Sequence, residues 1–588
     1  MIYMAGDNNL SVDMAYALEQ IKGVAVEGED SPNLFVYYDG NSPEIPTLYC
    51  DFSEPQKPRY VRSFMVPDKL YEVPSKPNEN TADIKSIYNF VHWCLNKVEV
   101  ENNGEITYGR RAQKYAMIFS GHSLGFQDKG LFRDEGSDKS MKMNDLYYGI
   151  QRLTNTENRL RKIANDYQLE GKDRKREKTV LIGQKLDILG FDSCVMGMLE
   201  VGYQFNDVAK TMIVSEGSVP NAGWTYAKIL GCLTRERDHN SNEKIVENFV
   251  RDFIRSQDSY TVGGVSVDMA AWDLSRFRKL TIAFDALAEA LTYCFEDEES
   301  ILYRQMERVI LQVHWKCQSY MYDQNVDLGD FCEMLDRECQ RVAEELSYDD
   351  VTNDLKWVSK QCAGVLKELR EAVILSGFSG GAYQYSNGVS IFFPWSREGY
   401  EVSRKNYKSL WISKEAYKNQ YPWTVFLEKY LNKVALRRFE PPTPDSSVGA
   451  KYRYFSGIKF DEKSSLGSSE NTMTKIAGQE GSKIAGQEGS KIAGQEGSKI
   501  AGQEGSKIAG QEGSKIAGHE GSKIAGQEGS KIAGQEGSKL AGVGSDAFFG
   551  SLRMFKNIEG RWNISGFSKK NDEVEPETMN SDLHLAVN

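Results

Sequence analysis

A cysteine and a histidine each follow an apolar run that is typical of a buried strand. Cys194 lies within KLDILGFDSCVMGMLE, residues 185–200, and His122 follows KYAMIFSG at residues 114–121. In an open α/β sheet, ligands bind at the carboxyl ends of strands. A thiol beside an imidazole can act as a nucleophile because the imidazole accepts its proton. The two positions therefore predict a cysteine–histidine active site.

The residues after Cys194 predict a helix. Val195, Met198 and Leu199 recur at roughly helical spacing, which would place Cys194 at a helix N-terminus. Unpaired N–H groups at such a terminus stabilise the nucleophilic thiolate. A lone cysteine of this kind is more often buried and inert. The catalytic interpretation therefore depends on a partner base.

His122 is the candidate base, because it is the histidine that ends a strand. The chain has six histidines. The other five lie in helix-like stretches, a polar run, a repeat and the tail: His92, His239, His314, His519 and His584.

Several longer motifs resemble those of one peptidase family. They are YMAGDNNL from Tyr3, SGHSLG around His122, GFDSCVMGMLEV around Cys194, SEGSVPNAGWTY from Ser215, VDLGDF from Val326 and NGVSIFFP ending at Pro394. In this order they resemble clostripain-type cysteine peptidases, relatives of the caspase-like, gingipain and legumain peptidases. The resemblance implies a thiol protease, a cysteine-type endopeptidase, with a caspase-like αβα sandwich and a mostly parallel sheet.

The resemblance also implies roles for individual residues. Cys194 would attack the peptide carbonyl, His122 would protonate the leaving amine, and the backbone N–H groups of Ser123 and Cys194 would bind the oxyanion. The family usually has glycine directly after the histidine, whereas this chain has Ser123. Serine can replace glycine there if the backbone does not require a positive φ.

Asp192, two residues before Cys194, suggests the substrate specificity. In the resembling peptidases the acid at this place lies in the pocket for the residue before the cut, so cleavage after arginine or lysine is expected. Arginine would be preferred if the contact is bidentate. Glu216 is a candidate second acid and Trp224 a candidate pocket wall. Alternatively, Asp192 only caps the following helix.

A basic run between the two catalytic positions is a candidate for self-processing. In the family, peptidases cleave themselves between histidine and cysteine after a basic residue. The candidate positions are Lys172, Arg174, Lys175, Arg176 and Lys178. The alternative interpretation is a solvated loop, which is the usual role of a charge run.

Composition limits the possible partners. The net charge of −12 and the pI near 5.3 argue against nucleic acid, and no stretch approaches the length of a membrane span. The nine cysteines are irregularly spaced and form no CxxC pair, so neither a zinc site nor a disulfide scaffold is indicated. We assign no metal ligands, although the resembling enzymes differ in their need for calcium. We expect a monomer that acts on peptides or proteins.

Strands alternating with helices predict an α/β fold with a largely parallel sheet. The predicted segments are a peptidase core at 1–264, a helical accessory part at 265–440, a linker at 441–474, a low-complexity repeat at 475–545 and a C-terminal segment at 546–588. The strand near Asn387 would join the main sheet or start a small extra one. Asp7, Asn8 and Asn9 would shape the rim of the site or only form a turn.

The repeat near the C-terminus and the first residues of the chain lead to separate expectations. Eight copies of KIAGQEGS, one with His519 in place of glutamine, occupy residues 475–538. They carry too little apolar surface to offset the entropy of ordering, so a flexible linker is favoured over a stacked solenoid. The N-terminus begins almost inside a strand, so we expect a missing upstream piece. The protein would be secreted if a signal was lost with it, and cytoplasmic otherwise.

Two other functions fit parts of the sequence. GHSLG after a strand matches the nucleophile elbow of serine esterases, with Ser123 as nucleophile. The polar stretch after it lacks the helix that an elbow requires. An inactive caspase-like binding scaffold is the second alternative, and the presence of both His122 and Cys194 argues against it.

Overall fold

The computed structural model describes most of the first 439 residues and one stretch near the C-terminus. The described residues are 1–24, 32–41, 46–54, 57–66, 78–95, 98–100, 106–108, 112–127, 131–154, 182–231, 241–257, 266–320, 324–346, 348–418, 420–439 and 565–569. The basic run at 157–178, the predicted linker and the KIAGQEGS repeat lie outside the described residues.

The described strands run along most of the chain. They are β1 (Ile2–Gly6), β2 (Phe35–Gly40), β3 (Leu48–Asp51), β4 (Arg59–Arg62), β5 (Val98–Val100), β6 (Ile106–Tyr108), β7 (Ala116–Ser120), β8 (Leu131–Asp134), β9 (Lys139–Met141), β10 (Leu186–Asp192), β11 (Ala209–Val214), β12 (Val267–Asp273), β13 (Ser319–Tyr320), β14 (Asn325–Asp327), β15 (Val373–Ser379), β16 (Ser390–Phe392) and β17 (Ser565–Lys569).

The helices lie between these strands. They are α1 (Ser11–Val24), α2 (Ile84–Leu95), α3 (Met143–Thr154), α4 (Leu199–Phe205), α5 (Tyr226–Ile229), α6 (Asn242–Ser256), α7 (Phe277–Cys294), α8 (Ile301–Lys316), α9 (Leu328–Glu345), α10 (Asp349–Ala372), α11 (Arg397–Ser409) and α12 (Pro422–Phe439).

Ten of the described strands form one sheet, in the order β17-β15-β12-β11-β10-β7-β1-β2-β3-β4. The five central strands, from β11 to β2, run parallel to one another. Antiparallel strands extend the sheet on both sides. The predicted α/β fold is confirmed, and the parallel arrangement belongs to the central strands that carry the candidate catalytic residues.

Alternate residues of β1 show that helices cover both faces of the sheet. Ile2 and Met4 belong to a buried cluster that includes residues of α1 and α6. Tyr3 points to the opposite face, where its ring lies 6.3 Å from that of Phe90 on α2. Because successive side chains of a strand alternate in direction, both faces are buried, as in an αβα sandwich.

The region after residue 265 contributes to the core as well as carrying helices. β12 and β15 pair with each other inside the main sheet, so the predicted boundary after residue 264 does not divide the sheet from the helical part. β16 joins a separate three-stranded sheet with β13 and β14, which is the small extra sheet that the sequence left open. β17 pairs with β15, so part of the C-terminal segment is a strand of the main sheet.

The described elements up to Leu431 belong, with β17, to one compact unit. The second unit comprises Asn432–Phe555, of which the structure describes only the last turns of α12. Within the described part of the chain, no helix is both long and apolar enough to cross a bilayer.

Candidate active site

Pairing of two central strands brings the candidate catalytic residues together. In the parallel ladder of β7 and β10, Ser120 lies opposite Asp192. His122 and Cys194 each follow two residues beyond this pair, at the carboxyl edge of the sheet. Both line the same cleft, which has about 420 Å³ of empty space.

The cleft is lined by the strand ends, one face of α1 and one loop. The lining residues are Leu10, Asp13, Met14, Ala17, Ser120, Gly121, His122, Asp192, Ser193, Cys194, Val219, Pro220, Asn221, Ala222 and Gly223. Two aspartates and no lysine or arginine are among them. The charged side chains of the cleft therefore favour a cationic ligand.

Cys194 does not lie at a helix N-terminus, and that prediction is wrong. The next helix, α4, begins only at Leu199. The thiol instead accepts a hydrogen bond from the Val219 N–H at 3.3 Å. Burial raises the pKa of the Cys194 thiol, and the Val219 N–H opposes this shift only in part. The free enzyme therefore holds a neutral thiol rather than a preformed thiolate.

The residue after Cys194 has an unusual backbone conformation. Val195 has a φ of 58°, in the left-handed region that a β-branched residue rarely adopts. Its N–H donates to the Gly217 carbonyl at 2.9 Å, and its side chain is buried. Such a conformation persists only where surrounding contacts require it, and it occurs most often at functional sites. Residues 193–198 thus form a constrained loop, which we call the nucleophile loop.

The imidazole of His122 is oriented by Asn9, which the sequence suggested as a rim residue but not as a partner of the histidine. Nε2 of His122 lies 2.6 Å from Oδ1 of Asn9. Because an amide oxygen only accepts, Nε2 carries the proton and Nδ1 carries the lone pair. Burial lowers the pKa of His122, and Glu135 opposes the shift. The ring is therefore neutral at neutral pH and can accept the thiol proton at Nδ1.

Ser123 is poorly placed for nucleophilic attack. Its side chain is 3% exposed, and its Oγ donates to Sδ of Met196 and accepts from the Gly125 N–H. No helix follows it in the described residues up to β8. The left-handed conformation falls on Gly125, with a φ of 62°, and not on Ser123. Serine therefore meets no backbone conflict at this position.

The two amides proposed for the oxyanion have no acceptor among the described residues. Neither the Ser123 N–H nor the Cys194 N–H donates to a backbone or side-chain group there. Unpaired N–H groups beside a nucleophile are what an oxyanion site requires.

Asp192 lies buried at the base of the cleft. Oδ1 accepts from the Trp224 N–H at 3.0 Å, and Oδ2 accepts from the hydroxyls of Ser120 and Tyr226 at 2.9 and 2.8 Å. Asp192 therefore does not cap the helix that follows Cys194, since α4 has no side-chain cap. Burial raises the pKa of Asp192 to about 6, although the hydrogen bonds from these three donors lower it.

The other predicted substrate-binding residues lie away from the cleft, which corrects both predictions. Glu216 is fully buried and accepts from the Gly388 N–H at 2.8 Å. Trp224 contributes its backbone to Asp192, whereas its indole packs in the core against Phe249. Asp13 on α1 is instead the second acid that lines the cleft. It shares a helical face with the apolar lining residues of α1, and this spacing could have been read from the sequence.

The self-processing candidates, Lys172, Arg174, Lys175, Arg176 and Lys178, lie outside the described residues.

One group of side chains in the described part of the chain could hold a metal ion. Carboxylate oxygens of Asp7, Asp39 and Asp134 lie within 4.8 Å of one another, and all three residues are buried. Oδ2 of Asp39 has no hydrogen-bond partner. Oxygen ligands without histidine or cysteine suit a hard cation such as calcium, so the residues fit the ion that the resemblance leaves open.

Comparison with known proteins shows a similarity to one peptidase family. Residues 168–430 match the model of the clostripain family, a span that includes Asp192 and Cys194 and begins after His122. The curated clostripain of Hathewaya histolytica is 24% identical over 450 residues, covering 67% of this chain and 74% of that protein.

The chain is similar to clostripain-family cysteine peptidases.

Two solved structures of clostripain-family proteases are also similar. An inactive zymogen C11 protease from Parabacteroides distasonis is 19% identical with a TM-score of 0.42, over 71% of this chain and 96% of that one. A secreted C11 cysteine protease from Bacteroides thetaiotaomicron, bound to an irreversible peptide inhibitor, is 17% identical with a TM-score of 0.43, over 71% and 97%. On its match to the clostripain family model and to the curated clostripain, the chain is a cysteine endopeptidase, a class of enzyme that acts on peptides or proteins.

Proposed function

We propose that this protein cleaves peptide bonds after arginine or lysine with a Cys194–His122 dyad. The observation that carries the proposal is the shared cleft, in which Cys194, His122 and the buried Asp192 converge. The lining residues of the cleft also include a second acid, Asp13, and no lysine or arginine.

The dyad begins in its neutral form, since burial raises the pKa of Cys194 and lowers that of His122. As the sulfur attacks the peptide carbonyl carbon, its proton moves to Nδ1 of His122. The oxyanion that forms accepts from the Ser123 and Cys194 N–H groups. His122 then protonates the leaving amine, and a thioester remains on Cys194. Water hydrolyses this thioester, with His122 again acting as the base.

Asp192 selects a cationic side chain. A buried carboxylate that faces a cleft favours a charged partner over a neutral one. Trp224, Ser120 and Tyr226 already occupy three of the roughly four acceptor positions of a carboxylate. A single further hydrogen bond is thus left for the substrate, which reduces the bidentate advantage of arginine. We therefore propose that both arginine and lysine are accepted.

Self-processing is part of the same proposal. The chain between His122 and Cys194 carries a basic run, Lys172 to Lys178, that matches the proposed specificity. Wild-type protein would be cleaved within this run, whereas a Cys194→Ala variant would remain intact. A wild-type chain that stays whole on a denaturing gel while hydrolysing substrate would contradict self-processing alone.

Calcium belongs to the proposal through Asp7, Asp39 and Asp134. The Asp7 carbonyl accepts from the Glu135 N–H, and Asn9 follows two residues later. A bound ion would fix this turn and would take no part in bond cleavage.

The esterase alternative is not favoured, because the candidate nucleophile Ser123 is buried and hydrogen-bonded on both sides. A binding scaffold is not favoured, because both His122 and Cys194 are present and line the same cleft.

One experiment tests the central proposal. Wild type, Cys194→Ala and His122→Ala would be assayed on matched peptides with arginine, lysine, norleucine or glutamate before the cut. We expect hydrolysis of the first two peptides by wild type, and a loss of at least ~100-fold in either variant. Full activity of Cys194→Ala, or cleavage after glutamate, would overturn the proposal.

A further inference from the structure

We propose that Asp268, on β12, is a positioning residue that holds the nucleophile in place through an intermediate loop. The inference rests on the proposed role of Cys194. It concerns a carboxylate that does not line the cleft and that neither the motifs nor the family resemblance singled out.

The nucleophile loop is held largely by residues 215–219, which we call the support loop. The Val195 N–H donates to the Gly217 carbonyl at 2.9 Å, and the Gly197 N–H donates to the Ser215 carbonyl at 2.7 Å. The Val219 N–H donates to the sulfur of Cys194 at 3.3 Å. The left-handed Val195 therefore depends on the position of the support loop.

The two loops are too close for either to move independently. A Cβ atom added at Gly197 would lie 2.7 Å from the Glu216 nitrogen, and one added at Gly217 would lie 2.5 Å from the ring of Tyr383. The nucleophile loop is also held from outside the support loop, because the Gly197 carbonyl accepts from the Ser390 N–H at 2.7 Å. A displacement of the support loop would thus be passed on to Cys194.

Asp268 fixes the support loop with both carboxylate oxygens. Oδ2 accepts from the Glu216 N–H at 2.7 Å, and Oδ1 accepts from the Gly217 N–H at 2.8 Å. The Asp268 carbonyl accepts from the Ser215 hydroxyl at 2.7 Å. Asp268 is 2% exposed, so water cannot easily replace it as the acceptor.

A carboxylate suits this position better than an amide. Two N–H groups point at Asp268, and only a group with two acceptor oxygens can satisfy both. In Asp268→Asn, the amide nitrogen would face one of these N–H groups, leaving a buried donor unpaired. Loss of the Asp268 charge by itself would act in the opposite sense, because that charge contributes to the raised pKa of the Cys194 thiol.

The test uses full-length Asp268→Asn with Asp273→Asn as its control. Asp273 lies at the other end of β12 and accepts from the Ser275 N–H. We would measure kcat and KM on an arginyl peptide and the rate of Cys194 alkylation by iodoacetamide across pH. For Asp268→Asn we expect kcat to fall by ~10- to 100-fold with KM within about twofold, as misplacement of a reacting group predicts.

The alkylation rate separates positioning from charge. If Asp268 positions the sulfur, weakening of the Val219 contact raises the apparent pKa of the thiol and slows alkylation at pH 7. Faster alkylation with a lower apparent pKa, or wild-type kcat in a folded Asp268→Asn, would overturn the proposal. Asp273→Asn should leave both readings within about twofold.

Two further variants keep the result interpretable. If Asp268→Asn does not fold, Ser215→Ala removes only the hydroxyl contact to the Asp268 carbonyl. A smaller fall in kcat and in alkylation rate is then expected, and no change in either would overturn the inference. Full activity of Cys194→Ala would instead show that the proposed dyad is wrong, whatever Asp268 does.

Discussion

Asn9 and His122 are joined by a hydrogen bond of 2.6 Å between Oδ1 and Nε2, although 113 positions separate them in the chain. This bond fixes which ring nitrogen holds the proton, and it leaves Nδ1 as the base. Asn9 follows β1 and His122 follows β7, and these two strands pair directly. The neighbouring carboxyl ends of parallel strands thus supply both the proposed base and the group that orients it.

Asn9→Ala is expected to lower kcat/KM by roughly tenfold, less than the ~100-fold or more caused by loss of the base. The ring would remain but would no longer be held in one tautomer and orientation. Steady-state kinetics on an arginyl peptide measures the effect. Asn41→Ala is the matched control, because Asn41 is an exposed asparagine at the end of the adjacent β2 that bonds Glu135 instead. Equal kinetics in the two variants would exclude the orienting role.

The pH dependence of kcat should reflect the lowered pKa of His122. Burial disfavours the imidazolium, so the neutral base persists below the usual His value of 6.5, and the acid limb of kcat should lie below it. Asn9→Asp would add an anion that stabilises the imidazolium, moving the acid limb to higher pH. An acid limb above the usual value in wild type would contradict this assignment.

Asp192→Asn should lower kcat/KM for arginyl peptides by at least ~30-fold, equivalent to the loss of ~2 kcal/mol from a buried charge partner. A peptide with norleucine before the cut serves as the control, and its hydrolysis should not fall. The pKa of Asp192 is raised to about 6, so in wild type KM for arginyl peptides should rise as pH falls through this value. A wild-type KM that does not depend on pH would argue against Asp192 as the binding group.

Ser123→Ala should retain peptidase activity within about threefold, since only the backbone N–H of this residue is assigned a role. The variant loses the contacts of Oγ with Met196 and Gly125. Hydrolysis of arginyl peptide and of a short-chain ester would be measured side by side. Loss of ester hydrolysis in Ser123→Ala, with Cys194→Ala unaffected, would revive the esterase alternative.

Calcium should raise the thermal unfolding temperature of wild type, because binding to the folded state alone adds about 2.7 kcal/mol at a hundredfold excess over Kd. A chelator should reverse the shift. Asp39→Asn removes the carboxylate with the unpartnered oxygen and should abolish the response. The same unfolding temperature with calcium and with chelator in wild type would mean that the three carboxylates share protons instead.

Local patterns in the sequence were sufficient to predict the two strands that carry the candidate site. The apolar runs before His122 and Cys194 correspond to β7 and β10, and the polar residues after them lie at the carboxyl edge of the sheet, as predicted. Such runs are informative because a strand buried on both faces must be apolar along its whole length. Asp192 was found for the same reason, since a carboxylate at the end of a buried strand is conspicuous.

The surroundings of Cys194 could not be read locally. Val195 and Met198 are apolar because the nucleophile loop is buried, and this burial imitates helical spacing although the helix begins only at Leu199. The sequence likewise suggested Glu216 and Trp224 as pocket residues, yet both side chains face away from the cleft. The burial of a position constrains the polarity of its residue, and this can be read from the sequence. The direction of its side chain depends on the elements that pack around it.

Amino-acid order alone therefore determined the fold class, the family-like motifs and the two strand ends that form the candidate site. Tertiary structure decided the hydrogen-bond partners. Asn9 bonds His122, Val219 bonds the Cys194 sulfur, and Asp268 bonds the support loop. The physical reason is that hydrogen bonds between distant segments are specific in distance and direction. Neither quantity is set until the strands are paired and the helices are packed.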